Sequence, residues 1–228
     1  MSNPAVRAIV TDIEGTTTDI SFVHKVLFPY AHAKLPDFLR ASAEAPAVAE
    51  QVDAVRREMG EPDASLDAVI AQLLHWIETD QKVTPLKALQ GMVWADGYQR
   101  GDFTGHVYSD VAPTLRHWKA SGKALYIYSS GSVQAQKLLF GYSDEGDLTP
   151  LFSGYFDTHI GHKRDVAAYQ RIVAELDLPA EAVLFLSDVV EELDSAKQAG
   201  MQTLQLVREG TQAGNVHACV TRFDEIAL

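Results

Sequence analysis

Cysteine is almost missing from this 228-residue chain. Cys219 is the only one, which excludes an internal disulfide framework and any zinc site built from several cysteines, and fits a reducing compartment. Positive charge is also scarce. Nineteen lysines and arginines stand against 31 aspartates and glutamates, and the net charge of -12 repels the phosphate backbone of nucleic acid at long range. No apolar run approaches the roughly 20 residues that a membrane-spanning helix needs. Residues 1–10 carry one arginine and a brief apolar stretch leading into acidic residues, unlike an export signal. The expectation is a cytoplasmic protein with neither nucleic acid nor membrane as partner. At 46% hydrophobic and 22% charged residues the composition suits a packed core. The length suits one full core plus a smaller insertion.

Short runs rich in β-branched and aromatic residues supply the strands. Residues 5–11 (AVRAIVT) run into the acidic loop DIEGTTTD; residues 124–128 (ALYIY), 183–186 (VLFL) and 203–207 (TLQLV) look alike, and 154–158 is a weaker fifth. Helical patterns fall between them at 114–121, 133–140, 166–176 and 191–199, the last stopped by Gly200. This alternation predicts an α/β fold with a parallel sheet flanked by helices on both faces. Residues 20–100 break the rhythm. They read as amphipathic helices over 22–41, 47–59, 66–79 and 86–100, punctuated by Pro46, Gly60, Pro62 and Pro85. The expected organisation is a core of 1–19 with 101–228, and an all-helical insertion of 20–100 directly after the first strand.

Ligands of open parallel sheets gather outside the carboxyl ends of the strands, and the chemically unusual residues fall there. Asp12 and Glu14 follow the first strand, Ser129, Ser130 and Gly131 the second, Lys163 the weak one, and Asp188 the run at 183–186. A carboxylate such as Asp12 can attack phosphorus only if a cation screens the two negative groups, and Mg²⁺ takes oxygen ligands from one or two carboxylates plus phosphate and water. Asp188 is the natural second carboxylate and Lys163 a compact positive charge. Ser129 and Ser130 offer hydroxyl and N–H donors, although a serine beside a helix start also caps helices. Glu14 is placed to protonate the leaving oxygen and then activate water. Glu191 and Glu192 either support the ion through water or favour a helix N-terminus. His159 and His162, without an HExxH pattern or cysteine partners, read as structural or surface residues.

DIEGT, a serine after the second strand, a downstream lysine and SDVVEE resemble the four motifs of the haloacid dehalogenase superfamily of phosphatases. The resemblance narrows to the enolase-phosphatase family of methionine salvage through DIEGTTTDISFVHKVLFPYA at 12–31, LKALQGMVWADGY at 86–98, YIYSSGSVQAQKLLFGYSDEGDL at 126–148, SGYFDTHIGHK at 153–163 and LFLSDVVEELDSAKQAGM at 184–201. It implies a Rossmann-like core with a helical cap, a monomer, and one Mg²⁺ per subunit. It also implies a small-molecule phosphorylated diketone as substrate, enolised and then dephosphorylated to an acireductone through an aspartyl-phosphate. Carried over, Asp12, Glu14 and Asp188 match metal-site positions and Ser129, Ser130 and Lys163 substrate-binding positions. Asp12, Glu14 and Lys163 are the residues expected to carry catalysis. Glu14 stands where most of the superfamily has Asp, and the enolase-phosphatases are expected to have Glu there. Its main-chain carbonyl is expected at the metal and its side chain in acid/base work. The base for enolisation stays open between Glu14 and a metal-activated group. Phe22, Val23, Trp94 and Tyr98 are candidates to receive an apolar methylthio tail or simply to pack the insertion.

Two alternatives remain at this stage. A phosphorylatable signalling domain uses a similar set of groups, but would be smaller, would lack the insertion and would carry its phosphorylated Asp on a later strand. Another phosphatase with a helical insertion could act on a different small phosphate ester.

Overall fold

The computed structural model describes residues 5–228; residues 1–4, where the expectations of an absent export signal and of the core's first residues begin, lie outside the described residues. Six strands are present among the described residues: β1 Ala8–Thr11, β2 Ala124–Tyr128, β3 Gly154–Phe156, β4 Val183–Ser187, β5 Gln202–Leu206 and β6 Ala218–Val220. They form one all-parallel sheet in the order β3-β2-β1-β4-β5-β6. The order reverses beside β1, so β1 and its neighbours β2 and β4 end at the topological switch point where such sheets hold ligands. Register fixes the layout there, with Thr11 opposite both Ile127 and Leu186, and Asp12 N–H donating to the Leu186 carbonyl over 2.9 Å.

Nine α-helices accompany the sheet among the described residues. They are α1 Ile20–Phe22, α2 Phe28–Ser42, α3 Pro46–Met59, α4 Leu66–Glu78, α5 Thr84–Arg100, α6 Val111–Ala120, α7 Val133–Gly141, α8 Val166–Leu176 and α9 Val190–Gln198. β1 and β4 are buried along their whole length, as continuous apolar strands covered on both faces should be. One core cluster joins Ala8, Val10, Phe185, Tyr128, Tyr169, Ile172 and Leu193. Each large apolar side chain removed from water there contributes about 1.5–3 kcal/mol.

The chain divides into two compact units, one of them Ser21–Phe103 and the other comprising the remaining described residues. The first is all-helical and has its own core, with Leu35, Leu39, Val52, Val55, Leu73 and Leu89 at its centre. Between α1 and α2 the helix widens into a π-helical stretch, Val23–Leu27, which periodicity did not foretell. Pro29 follows directly; it has no N–H to give the preceding turn and its ring crowds a carbonyl there, and a wider turn relieves both. The Leu27 carbonyl at the end of this stretch accepts the Trp94 indole N–H over 2.9 Å. Tyr98 is buried and packs edge-on against Phe103, ring centres 4.5 Å apart. Gly97 makes that packing feasible, since a Cβ there would lie 2.6 Å from Phe103 and 2.7 Å from Tyr30. Trp94 and Tyr98, considered above for an apolar tail, thus both have packing roles inside this unit.

β6 was not foreseen from the sequence. It is three residues long, largely exposed and lies at the sheet edge, so it carries no apolar run to read. The segment after it is anchored by a buried ion pair. Arg208 and Asp110 meet in two parallel contacts of 3.0 and 2.8 Å, and the Phe223 N–H also donates to Asp110. Burial alone would raise the Asp110 carboxyl, but the Arg208 and Phe223 bonds outweigh it and hold it below its ordinary value. A depressed folded-state value gives stability that is present above the unfolded value, about 3.9 for Asp, and lost as pH falls through the folded one. Asp110→Asn is therefore expected to lower stability at pH 7 by about 3 kcal/mol. The deficit should shrink as pH is taken well below about 4, which denaturant titrations at pH 7 and about pH 2 would measure. An unchanged deficit at both would show that the charge is not the source.

Candidate active site

DIEGTTTD turns sharply because several of its N–H groups converge on one acceptor: those of Thr16, Thr17 and Thr18 all donate to the Ile13 carbonyl, at 2.9–3.1 Å. Gly15 makes the turn with φ +77°, and a Cβ there would fall 2.4 Å from an Asp188 carboxyl oxygen. Only a residue without a side chain lets the loop after β1 pass so close to the loop after β4.

Asp12 is buried and its carboxylate is held from three sides. Oδ1 faces the Lys163 ammonium at 2.5 Å and accepts the Ile13 N–H at 2.7 Å, while Oδ2 accepts from the Ser187 hydroxyl at 3.4 Å. Lys163 is itself buried and contacts Glu192 at 2.7 Å. Burial would lower the lysine, yet the charges of Asp12 and Glu192 outweigh it and hold the ammonium above its ordinary value. The lysine loop is fixed from below: Tyr169 Oη donates to the Lys163 carbonyl at 2.7 Å and Tyr128 Oη to the Gly161 carbonyl at 2.8 Å.

On the β4 side, the Asp188 N–H donates to Thr16 Oγ1 at 3.0 Å, and that hydroxyl faces Asp188 Oδ1 at 3.4 Å. Burial, then the charge of Asp12, pushes Asp188 up to about 6. Glu192 is pushed up to about 7, again by burial and then by Asp12. On the β2 side, Ser129 is fully buried, takes the Gly131 N–H at 3.0 Å and donates to Glu14 Oε2 at 3.3 Å. Glu14, half-buried, is raised by burial and by Asp12.

The structure thus brings Asp12, Glu14, Ser129, Lys163 and Asp188 to the carboxyl ends of neighbouring strands. Ser130 lies beside them, exposed, and the helix-capping alternative falls instead to Ser132, whose side chain accepts the Ala135 N–H at the start of α7. Glu191 and Glu192 separate cleanly: the first is exposed at the start of α9, the second turns inward to Lys163 and to Ser187, 3.0 Å away. His159 is exposed and meets Asp157, and His162 is exposed.

Four carboxyl groups, Asp12, Glu14, Asp188 and Glu192, share this region with a single amine, Lys163. Three of them are raised by burial first and by the charge of Asp12 second, and a divalent cation beside Asp12 would relieve the second cause. Among the described residues no three His, Cys, Asp or Glu side chains gather into a metal cluster. Asp12 and Asp188, with the main-chain carbonyl of Glu14 on the loop after Asp12, offer oxygen donors of the kind Mg²⁺ takes together with water and phosphate.

A family model described as haloacid dehalogenase-like hydrolase matches residues 6–200. Enolase-phosphatase E1 of Erwinia tasmaniensis is 58% identical over 97% of this chain and 96% of its own, and Enolase-phosphatase E1 of Pseudomonas aeruginosa is 59% identical over 98% and 99%. The chain is a haloacid dehalogenase-like hydrolase of the enolase-phosphatase family. Among solved structures, the UTR4 protein of Saccharomyces cerevisiae superposes on this enolase-phosphatase family member with a TM-score of 0.83 at 33% identity, over 97% of this chain and 100% of that one. CbbY from Rhodobacter sphaeroides, solved in complex with phosphate, shares the fold at a TM-score of 0.60 and 14% identity, covering 96% of each chain.

Several residues of the family member's site were not singled out from its sequence. Ser187 sits between Asp12 and Glu192, and Thr16 links to Asp188. Gln205, buried in β5, donates to the Asp188 carbonyl at 2.9 Å and accepts the Gly214 N–H at 2.7 Å. A polar residue inside an apolar strand was the available signal for Gln205. Glu192 was singled out together with Glu191, and its spacing to Ala196 is what puts it on the buried face of α9.

Proposed function

We propose that this chain is an acireductone synthase of L-methionine salvage. It converts 2,3-diketo-5-methylthiopentyl-1-phosphate to 1,2-dihydroxy-3-keto-5-methylthiopentene and phosphate, by enolisation and then dephosphorylation. The observation that carries the chemistry is the buried Asp12 carboxylate held by Lys163 at 2.5 Å, with Asp188 on the adjacent strand end. Near full-length likeness to enolase-phosphatases supports the substrate.

Asp12 attacks phosphorus and becomes the aspartyl-phosphate. Lys163 and the Ile13 N–H hold the attacking group in one orientation, and the lysine's charge lowers the repulsion between carboxylate and phosphate. Glu14, whose proton affinity is raised by burial and then by Asp12, gives a proton to the leaving oxygen. As a carboxylate it then takes a proton from the water that opens the acyl phosphate. Ser129 and Ser130 bind the phosphoryl oxygens beside the start of α7. One Mg²⁺ per subunit would be held by the carboxylates of Asp12 and Asp188 and the main-chain carbonyl of Glu14. When bound, it supplies the positive charge that phosphate and a developing enolate need. For enolisation, the chain's own group to remove the carbon-bound proton is Glu14. The protein acts as a cytoplasmic monomer on this small-molecule partner.

The test follows enol absorbance and released phosphate together on the diketone phosphate. Phosphate release from generic esters alone, with no enol signal, overturns the assignment. Glu14→Gln, which keeps the shape and removes the titrating group, is expected to lower both signals by about 10²–10⁴-fold. Loss of phosphate release with full enolisation would assign the base elsewhere.

A further inference from the structure

Arg208 is buried, and nothing in the proposed chemistry requires a cation there. It follows β5, and all three guanidinium nitrogens donate hydrogen bonds. Nε donates to the Thr16 carbonyl at 3.1 Å, Nη1 to Asp110 at 3.0 Å and to the Thr221 carbonyl at 2.9 Å, and Nη2 to Asp110 at 2.8 Å. The Tyr108 ring lies 4.2 Å away and that of Phe223 5.5 Å. Two more bonds secure the same loop from the 106–110 segment: the Tyr108 N–H donates to the Thr17 carbonyl at 3.0 Å, and Thr18 Oγ1 to the His106 carbonyl at 2.9 Å.

Thr16 is where this scaffold meets the site. Its carbonyl is held by Arg208, and its hydroxyl takes the Asp188 N–H and faces the Asp188 carboxyl. A buried ion pair is often replaceable by apolar groups without loss of stability, whereas a guanidinium fixes several acceptors at set angles at once. We propose that Arg208, oriented by Asp110, is a positioning residue that sets Asp188 relative to Asp12 through Thr16. It thereby tunes divalent-cation affinity and the rate of phosphoryl transfer. This rests on the functional assignment above, because it presumes that Asp12 and Asp188 share a cation.

Mg²⁺ affinity, measured by calorimetry on folded protein, gives a readout separate from turnover, and kcat and KM are measured beside it. Arg208→Met and Thr16→Val are each expected to weaken Mg²⁺ binding by about 10-fold or more. Both should lower kcat by about 10–10²-fold, with a smaller change in KM. Thr16→Ser, which keeps the hydroxyl, should recover most of the loss. Arg208→Lys, with a point charge in place of the fork, should recover little. The double variant R208M/T16V should be no worse than its more impaired single parent, because both act along one path. If Arg208→Met fails to fold, the Thr16 pair and Arg208→Lys decide. A lowered Tm with wild-type Mg²⁺ affinity and kcat in Arg208→Met or Thr16→Val overturns the proposal alone, as do fully additive losses in the double variant. Absence of Mg²⁺ binding in the wild type overturns it together with the functional assignment.

Discussion

Asp12→Asn is expected to lower phosphate release by roughly 10⁴-fold or more while leaving the protein folded. The amide has nearly the same volume and keeps one oxygen to accept the Ile13 N–H; its NH2 takes the place of the oxygen facing Ser187, whose hydroxyl still has Glu192, and Lys163 keeps Glu192. The attacking charge is what disappears. Enolisation breaks a C–H bond and needs no attack on phosphorus, so the enol phosphate should still form and accumulate, separating the two half-reactions in one variant. Acid quenching of the wild type during turnover should trap phosphate on the peptide containing residue 12, and the variant should trap none. A rate within roughly 10²-fold of wild type would refute nucleophilic catalysis by Asp12.

Lys163→Met should also have a large effect, a loss of about 10³ in kcat. The amine balances Asp12 and Glu192 at 2.5 and 2.7 Å, and no other cation among the described residues is paired with either carboxylate. Without it Glu192 loses a partner that lowers its proton affinity, which then rises further. Methionine fills most of the space but leaves Asp12 with only its hydrogen bonds. Rapid-quench measurement of phosphoenzyme formation would check this; formation at the wild-type rate would confine the lysine to substrate binding. Arginine is not expected to rescue, since its planar fork does not fit a pocket shaped around one nitrogen between two acids.

The sheet was readable because buried parallel strands are mostly apolar, and β1, β2 and β4 are, apart from Thr11, Ser187 and the tyrosine hydroxyls. Asp12, Glu14, Lys163 and Asp188 were readable because each follows such a run or a weak one. Strand ends in this topology converge, so closeness in space followed from order along the chain. Arg208 and Asp110 gave no such cue. An arginine past a strand and an aspartate before a helix are ordinary surface residues in a sequence, and 98 positions separate them. Glu192 was ambiguous beside Glu191 until helix phase put one indoors and the other in water. β6 pairs with β5 alone and leans on backbone bonds, which leave no imprint on composition. The π-helical turn arises from Pro29 acting on a segment whose apolar spacing still looks helical.

Gly15 has a wider meaning than the turn it permits. The gap between the loop after Asp12 and the Asp188 carboxyl is narrower than a methyl group, so hydrogen alone at that carbon serves as the spacer between two acids 176 positions apart in the chain. The proximity on which the chemistry depends is thus written as an omission: the smallest residue in the alphabet gauges the separation, and every larger one would wedge the two loops apart.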